Sequence, residues 1–389
     1  MTLTAEQREI QALAREFAEN EIRPRAAEWD QARALDDAVF AKLAEVGFLG
    51  MTIPEEHGGL GLDPLTYLLV LEELAWGDAA VALSVAVHNG LVAATVVRHG
   101  TPDQKRDLLP ALASGERLGA FALSEPQAGS DVGAVATAAT RDGAGWRLAG
   151  EKRWVTNGAR AGLAVAFART GDRKLGAFLV ELPAAGWTPT NRELTMGFRA
   201  SETVSVELSG VAVPGTRVLG DPESGFRIAM EALDQGRVGL AAQAVGIARA
   251  ALEHAVMYAL GREQFDQPIA RFGGIQEKLA EMARRVTAAR LVTHHAGAAM
   301  AEEIGSGPDS LTARAAMAKL TASETASWVA DEAVQIFGGY GYMRDYPVEK
   351  LMRDAKGTEI FEGTSEILRL VIARELLRDH PSTTDRRVT

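Results

Sequence analysis

The chain has 389 residues, 47% hydrophobic and 24% charged, enough for a sizeable core and, at about 150 residues per domain, for two or three domains. Its 41 Lys and Arg against 52 Asp and Glu give a formal charge of −11, so neither nucleic acid nor an anionic membrane is expected as the main partner. Cysteine is absent, which excludes disulfides, a thiolate nucleophile, Cys-ligated zinc and iron–sulfur clusters.

Residues 1–11 carry Glu6 and Glu9 and show neither a secretory nor a transit pattern. No stretch approaches the roughly 18 uninterrupted apolar residues of a membrane helix. A soluble, cytoplasmic protein is expected. Residues 1–117 read as a helical domain. Thr4 and Gln7 form a capping-box pattern, and Leu13, Phe17 and Ala18 recur at helical spacing until Pro24 kinks or ends the helix. A second helix spans Asp36–Val46 and stops at Gly47. Residues 54–64, rich in Gly and Pro, form a loop. Leu65, Leu68, Leu69 and Leu71 then mark a helix with Glu72 and Glu73 on its outside. Residues 79–97 are apolar and small, a helix buried on most sides, and Thr101-Pro102 starts another.

Between 118 and 222 the period changes to two. Val204, Val206 and Leu208 alternate with polar neighbours, and Leu163–Arg169 and Leu175–Leu182 are short apolar runs bounded by turn residues. Several short strands imply a β sandwich or barrel. From 223 to 389 the helical period returns. Ile275, Leu279, Met282 and Val286 form a core-facing stripe, and residues 305–308 a loop. Ser310 caps a helix to Phe337, which Gly338-Gly339-Tyr340-Gly341 terminates. A last helix, Thr364–Arg378, carries Ile367, Leu370, Val371 and Arg374.

Several kinds of site are missing from the sequence: a dinucleotide-binding Gly-x-Gly-x-x-Gly after a strand, a phosphate loop, His-Glu-x-x-His and Gly-x-Ser-x-Gly. No metal site is expected. His294 and His295 are adjacent and on a helix point about 100° apart, a poor chelate; His88 reads as a hydrogen-bonded core histidine. The informative stretch is Glu359-Ile360-Phe361-Glu362-Gly363-Thr364-Ser365-Glu366. Glu359, Glu362 and Glu366 could be a solvated helix stripe. Against that, Gly363 interrupts the helix, and apolar Ile360 and Phe361 would raise the pKa of Glu362 toward that of a general base. Thr364 and Ser365 begin a new helix with free N–H groups for an anion. A second stretch, Phe121 to Asp131, together with Lys152 to Gly158, suits a flat polar ligand covered by Trp154, or equally a plain β turn with a core tryptophan.

The chain resembles the acyl-CoA dehydrogenases, most nearly the short-chain (butyryl-type) or short-branched-chain members. The matched segments are Ala122-Leu123-Ser124-Glu125-Pro126-x-Ala128-Gly129-Ser130-Asp131, Trp154-Val155-Thr156-Asn157-Gly158, Leu233-Asp234-x-Gly236-Arg237, Gln335-Ile336-Phe337-Gly338-Gly339-x-Gly341-Tyr342, Met352-Arg353-Asp354-Ala355 and Ile360-Phe361-Glu362-Gly363-Thr364-Ser365-Glu366-Ile367. The resemblance implies an α+β multidomain fold: an N-terminal α-helical domain, a middle β domain and a C-terminal four-helix bundle.

It also implies FAD between the β domain and the helices, an acyl-CoA thioester substrate, and an electron-transfer flavoprotein as acceptor. Glu362 stands at the position of the base that removes the α proton while the β hydride passes to flavin N5. In the family the carbonyl oxygen is held by the backbone N–H of the base and a ribityl hydroxyl. Phe121, Leu123, Ser124, Trp154 and Thr156 match flavin-side positions, and Thr364 and Glu366 a flavin-contacting helix start. Arg262 and Phe265 match residues that a neighbouring subunit offers to the pyrophosphate and adenine side, and Gln335, Gly338 and Gly339 an adenine-side turn, so at least a dimer, and by family habit a homotetramer (dimer of dimers), is expected. Ser130, Asp234, Arg237 and Gly363 match substrate-side positions. Where the family often has Leu-Gln, this chain has Phe272-Gly273, so one FAD contact is lost or replaced by water. Isovaleryl- and long-chain-type relatives place the base at the position of Gly236, which here has no side chain. Alternatives are an enzyme or oxidase acting on a carrier-protein thioester, and a non-catalytic flavin-binding scaffold.

Overall fold

The computed structural model describes residues 3–301 and 307–378; of the expected 305–308 loop, Gly305 and Ser306 lie outside the described residues. Thr4 and Gln7 cap helix α1 (Ala5–Phe17) reciprocally. Pro24 ends nothing: the chain runs through a π turn (Ala18–Ile22) and a 3-10 turn (Arg23–Arg25) into α2 (Ala26–Ala32), since a proline is tolerated where the α ladder is already interrupted. Helix α3 (Asp37–Glu45) is capped by Asp36 and followed by left-handed Gly47. Asp63 caps α4 (Pro64–Gly77). Asp78 caps α5 (Ala79–Ala86), which continues through a π segment (Val87–Ala93) into α6 (Ala94–His99). A Thr101–Gln104 box opens α7 (Pro102–Ala113).

The stretch Ala79–His99 is long and apolar enough to cross a membrane, but 89% of its most apolar window is buried inside the protein; here it is a core element. Glu72 and Glu73 correct the expectation of an exposed face, because α4 is enclosed on every side. Glu72 meets Arg249 (2.6 Å), Arg290 (2.7 Å) and His294 (3.1 Å), while Glu73 meets Arg249 (2.7 Å) and Arg15 (3.2 Å). Buried carboxylates are tolerable when multiply paired.

The middle block is one eight-stranded sheet rather than two separate ones. Its strands are β1 (Gly119–Ala122), β2 (Ala138–Asp142), β3 (Gly145–Thr156), β4 (Leu163–Gly171), β5 (Lys174–Glu181), β6 (Trp187–Arg192), β7 (Thr203–Val213) and β8 (Val218–Leu219), ordered β6-β7-β3-β2-β4-β5-β8 with β1 parallel beside β4. Both faces of β4 are buried. Leu163, Val165 and Phe167 pack on Val92 and Leu109 of the helices. Ala164, Ala166 and Ala168 share a second cluster with Trp146, Leu148, Phe178 and Val206 from the sheet itself.

The C-terminal block contains α8 (Gly225–Gly261), a short hairpin β9 (Glu263–Gln264) and β10 (Gln267–Pro268), α9 (Gly273–Ala299), α10 (Leu311–Phe337), α11 (Val348–Thr358) and α12 (Ser365–Arg378). Helix α8 lies against α4, α9 and α10. It comes close to α4 at Gly246, where any Cβ would sit 2.3 Å from the Glu72 carbonyl oxygen. Helical N- and C-terminal parts thus flank a β-sheet part, with α8 as the common spine.

Candidate active site

The loop between α11 and α12 carries Glu362 in a left-handed conformation, φ +56°, followed by Gly363 at φ +104°. Such a conformation costs an L-residue about 1–2 kcal/mol, so surrounding contacts must hold it. Arg237 Nε donates to the Glu362 carbonyl (3.1 Å) and Lys319 Nζ to the Gly363 carbonyl (2.7 Å). Phe361 packs edge-on against Phe198 of the β6–β7 connection, with ring centroids 5.2 Å apart, which joins the loop to the sheet.

The Glu362 residue is partly exposed, but its Oε2 is sealed off and has no hydrogen-bond partner among the described residues. That oxygen lies over Gly236, where a Cβ would sit only 2.6 Å from it and 2.7 Å from Leu91 Cδ2. One helical turn on, the Tyr67 hydroxyl fills the space between Gly90 and Gly239. Burial pushes the Glu362 carboxyl up from 4.5 to about 7, while Lys319 and Arg237 restrain the rise. A desolvated carboxylate with a pKa near neutrality is suited to taking a proton from a weak carbon acid.

On the sheet side, the chain leaving β1 turns through Leu123 and Ser124. Lys152 Nζ, fully buried, donates to the Leu123 carbonyl (3.0 Å) and to Glu125 (2.7 Å), and Arg153 N–H donates to the Ser124 carbonyl (2.9 Å). Leu123 and Ser124 are thereby tied to the Trp154–Thr156 end of β3. Trp154 sits at a register shift of β3 against β7 with φ +56° and is 55% exposed; the bulge turns its indole outward. Phe121 instead packs on Phe167, at 5.0 Å. Thr364 Oγ accepts from Ile367 N–H at the start of α12, and Glu366 is exposed beside it, its carboxyl held low by hydrogen bonds from its own N–H and Thr364.

A separate hollow of about 570 Å³ is lined by Arg262, Phe265, Phe272, Gly338, Gly339 and Tyr340. Gln335 does not line it; its carbonyl receives Gly338 N–H. Arg262 stacks over Tyr340, 5.3 Å from the ring centre, and Phe265 is 87% exposed. Gly273 opens α9 with nothing within 4 Å of its missing side chain. Within one chain the expected residues lie in separate places: Glu362 with Arg237 and Gly363 in one, Leu123 and Ser124 with the Trp154–Thr156 end of β3 in another, and Arg262, Phe265, Gly338 and Gly339 around the hollow.

Family models describe the acyl-CoA dehydrogenase N-terminal domain over residues 4–116, the middle domain over 120–211 and the C-terminal domain over 223–377. The chain belongs to the acyl-CoA dehydrogenase family. It is 43% identical to the mitochondrial short-chain specific acyl-CoA dehydrogenase of Bos taurus over 378 residues, covering 96% of this chain and 90% of that one. A chain in the solved structure of the electron transferring flavoprotein of Acidaminococcus fermentans matches with a TM-score of 0.94 and 41% identity, over 97% of this chain and 100% of that one. The acyl-CoA dehydrogenase of Bacillus anthracis, solved in complex with FAD, matches with a TM-score of 0.90 and 34% identity, over 97% of this chain and 67% of that one.

In this acyl-CoA dehydrogenase, an oxidoreductase by family, the substrate-side residues also make contacts within the chain. Arg237 is 7% exposed; its Nη1 pairs with Asp234 (2.7 Å) and its Nε serves the Glu362 carbonyl. Asp234 also accepts from Thr312 (2.6 Å). Nε and Nη1 of Arg237 are thus engaged inside the chain, while its Nη2 makes no hydrogen bond among the described residues. Gly363 likewise offers its carbonyl to Lys319, whereas Ser130 is exposed on its loop. Sequence reasoning missed Lys319 and Tyr67, each inside an ordinary helical pattern. The one signal was a charged Lys319 on the alanine-rich face of α10.

Proposed function

We propose that this protein is an FAD-dependent acyl-CoA dehydrogenase that converts a short-chain acyl-CoA thioester to the trans-2-enoyl-CoA, with Glu362 as base. The observation that carries this is the unpartnered, buried Oε2 of Glu362 in a loop clamped at two successive carbonyls. FAD fits the residues present: Trp154 exposes a flat aromatic face held by its bulge, and at the start of α12 the buried Ser365 Oγ has no partner among the described residues. Leu123, Ser124, Thr156, Thr364 and Glu366 would hold its ring side, and Arg262, Phe265, Gly338 and Gly339 the adenine side of a second subunit. When bound, FAD supplies the acceptor for the hydride that leaves the β carbon.

Glu362 takes the α proton. No hydrogen bond at Oε2 has to break first, and its pKa near 7 leaves a large ionised fraction at neutral pH. No backbone carbonyl among the described residues accepts the Glu362 N–H, so it is available to the thioester oxygen, where negative charge develops. The apolar Leu91 and Phe361 around the loop limit water. The Tyr67 hydroxyl closes the space one turn beyond Gly236, which supports a short acyl group.

An electron-transfer flavoprotein as acceptor is supported by the Acidaminococcus neighbour. The exposed Phe265, Tyr342, Met257 and Leu260 support assembly with further copies, taken here as a dimer of dimers. Cytoplasmic placement and domain limits of 1–117, 118–222 and 223–389 belong to the same reading. The test is anaerobic bleaching of the flavin by CoA thioesters from C4 to C12, with C4 fastest. A colourless protein that takes up no FAD, or flavin that no thioester bleaches, refutes it.

A further inference from the structure

Lys319 is a cation with no exposed surface. Its Nζ reaches no carboxylate within ion-pair distance among the described residues; its hydrogen bond goes to the Gly363 carbonyl at 2.7 Å. Burying an ammonium costs several kcal/mol unless something compensates, and a single neutral carbonyl is weak compensation. The partner it has chosen is nonetheless telling. Gly363 follows Glu362, and the carbonyl one residue earlier is the one held by Arg237 Nε. Two cations from two helices, Arg237 on α8 and Lys319 on α10, thus grip consecutive carbonyls of a loop whose residues both have positive φ.

We propose that Lys319 is a positioning residue for the base: with Arg237 it locks the 362–363 peptides in the left-handed conformation and aims the Glu362 carboxylate at Gly236. This rests on the reading of Glu362 as base. The groups facing Glu362 are Lys319 from α10, Arg237 from α8 and Tyr67 from α4; those facing Lys319 are Glu362, Arg237, Glu359 and Glu366. Burial brings the Lys319 ammonium down to about 8, so it is still largely charged at neutral pH. In that state it opposes the effect of burial on Glu362. Lys319 therefore has two separable duties, a donor to the loop and a positive charge beside the base.

The experiment uses flavin-loaded enzyme and anaerobic bleaching by butyryl-CoA from pH 5 to pH 9. K319M, which loses donor and charge, is expected to move the midpoint of the rate profile to higher pH by about one pH unit and to lower the plateau by about 10²-fold, the loss a misplacement of about 1 Å brings. K319Q keeps a donor without the charge; it should show the alkaline displacement with a plateau nearer wild type, and it tests the proposal should K319M not fold. Flavin content and butyryl-CoA affinity should change little in both. Wild-type plateaus and midpoints in K319M and K319Q, with Glu362→Gln inert in parallel, overturn the role of Lys319 alone. If Glu362→Gln bleaches like wild type, the base assignment beneath it falls.

Discussion

Replacing Glu362 by glutamine should make the protein more stable, and increasingly so as pH rises. The Glu362 carboxyl is pushed from 4.5 to about 7 on folding, so the folded state disfavours its charge. At 1.36 kcal/mol per pH unit the difference is worth about 3 kcal/mol. Because the folded value is the higher one, wild type loses this stability as pH rises from about 4.5 to about 7, with the full penalty present above that. Glutamine stays neutral and never incurs it. At about 2.1 cal/mol/K per residue, 389 residues unfold with an entropy near 0.8 kcal/mol/K, so the gain is about 4 °C in melting temperature at pH 8 and about 1 °C at pH 5. Calorimetry of flavin-loaded, substrate-free protein at both pH values reads this. A difference independent of pH, or a wild type more stable than the variant at pH 8, would refute the reasoning about burial.

Gly236→Ala places a methyl 2.6 Å from Glu362 Oε2; displacing the carboxylate by about 1 Å should slow flavin reduction about 10²-fold at unchanged FAD content, checked by stopped-flow absorbance. Tyr67→Ala opens the space beyond Gly236 and should move the thioester preference from C4 toward longer chains, read as the ratio of kcat/KM values for octanoyl- and butyryl-CoA. Lys152→Met removes the only cation paired with the buried Glu125 carboxylate among the described residues and leaves it the Ala136 and Thr137 N–H groups and the Gln127 amide; it should lower stability by about 1–3 kcal/mol in urea titration.

The order helix, sheet, helix was legible from the change of period at about 118 and 222, and the caps at Thr4, Thr101 and Ser310 formed as their side chains allow. His88 was legible too: it accepts the Gly119 N–H and bonds the Leu49 and Leu112 carbonyls. What the sequence hid was the company each element keeps. Glu72 and Glu73 look like a solvated face because one helix cannot reveal the arginines that α1, α8 and α9 bring to it. The sequence likewise could not show that Arg237 holds Asp234 and the Glu362 carbonyl. Gly236 needed the structure to show why it lacks a side chain: the Glu362 carboxylate occupies that volume.

The decisive comparison is wild type against Glu362→Gln, both loaded with FAD and mixed with butyryl-CoA at pH 8 without oxygen. The variant should stay yellow and bind the thioester, yet bleach slower by at least 10²–10⁴-fold, the range for loss of a proton acceptor. Bleaching at the wild-type rate would mean that some other group removes the α proton.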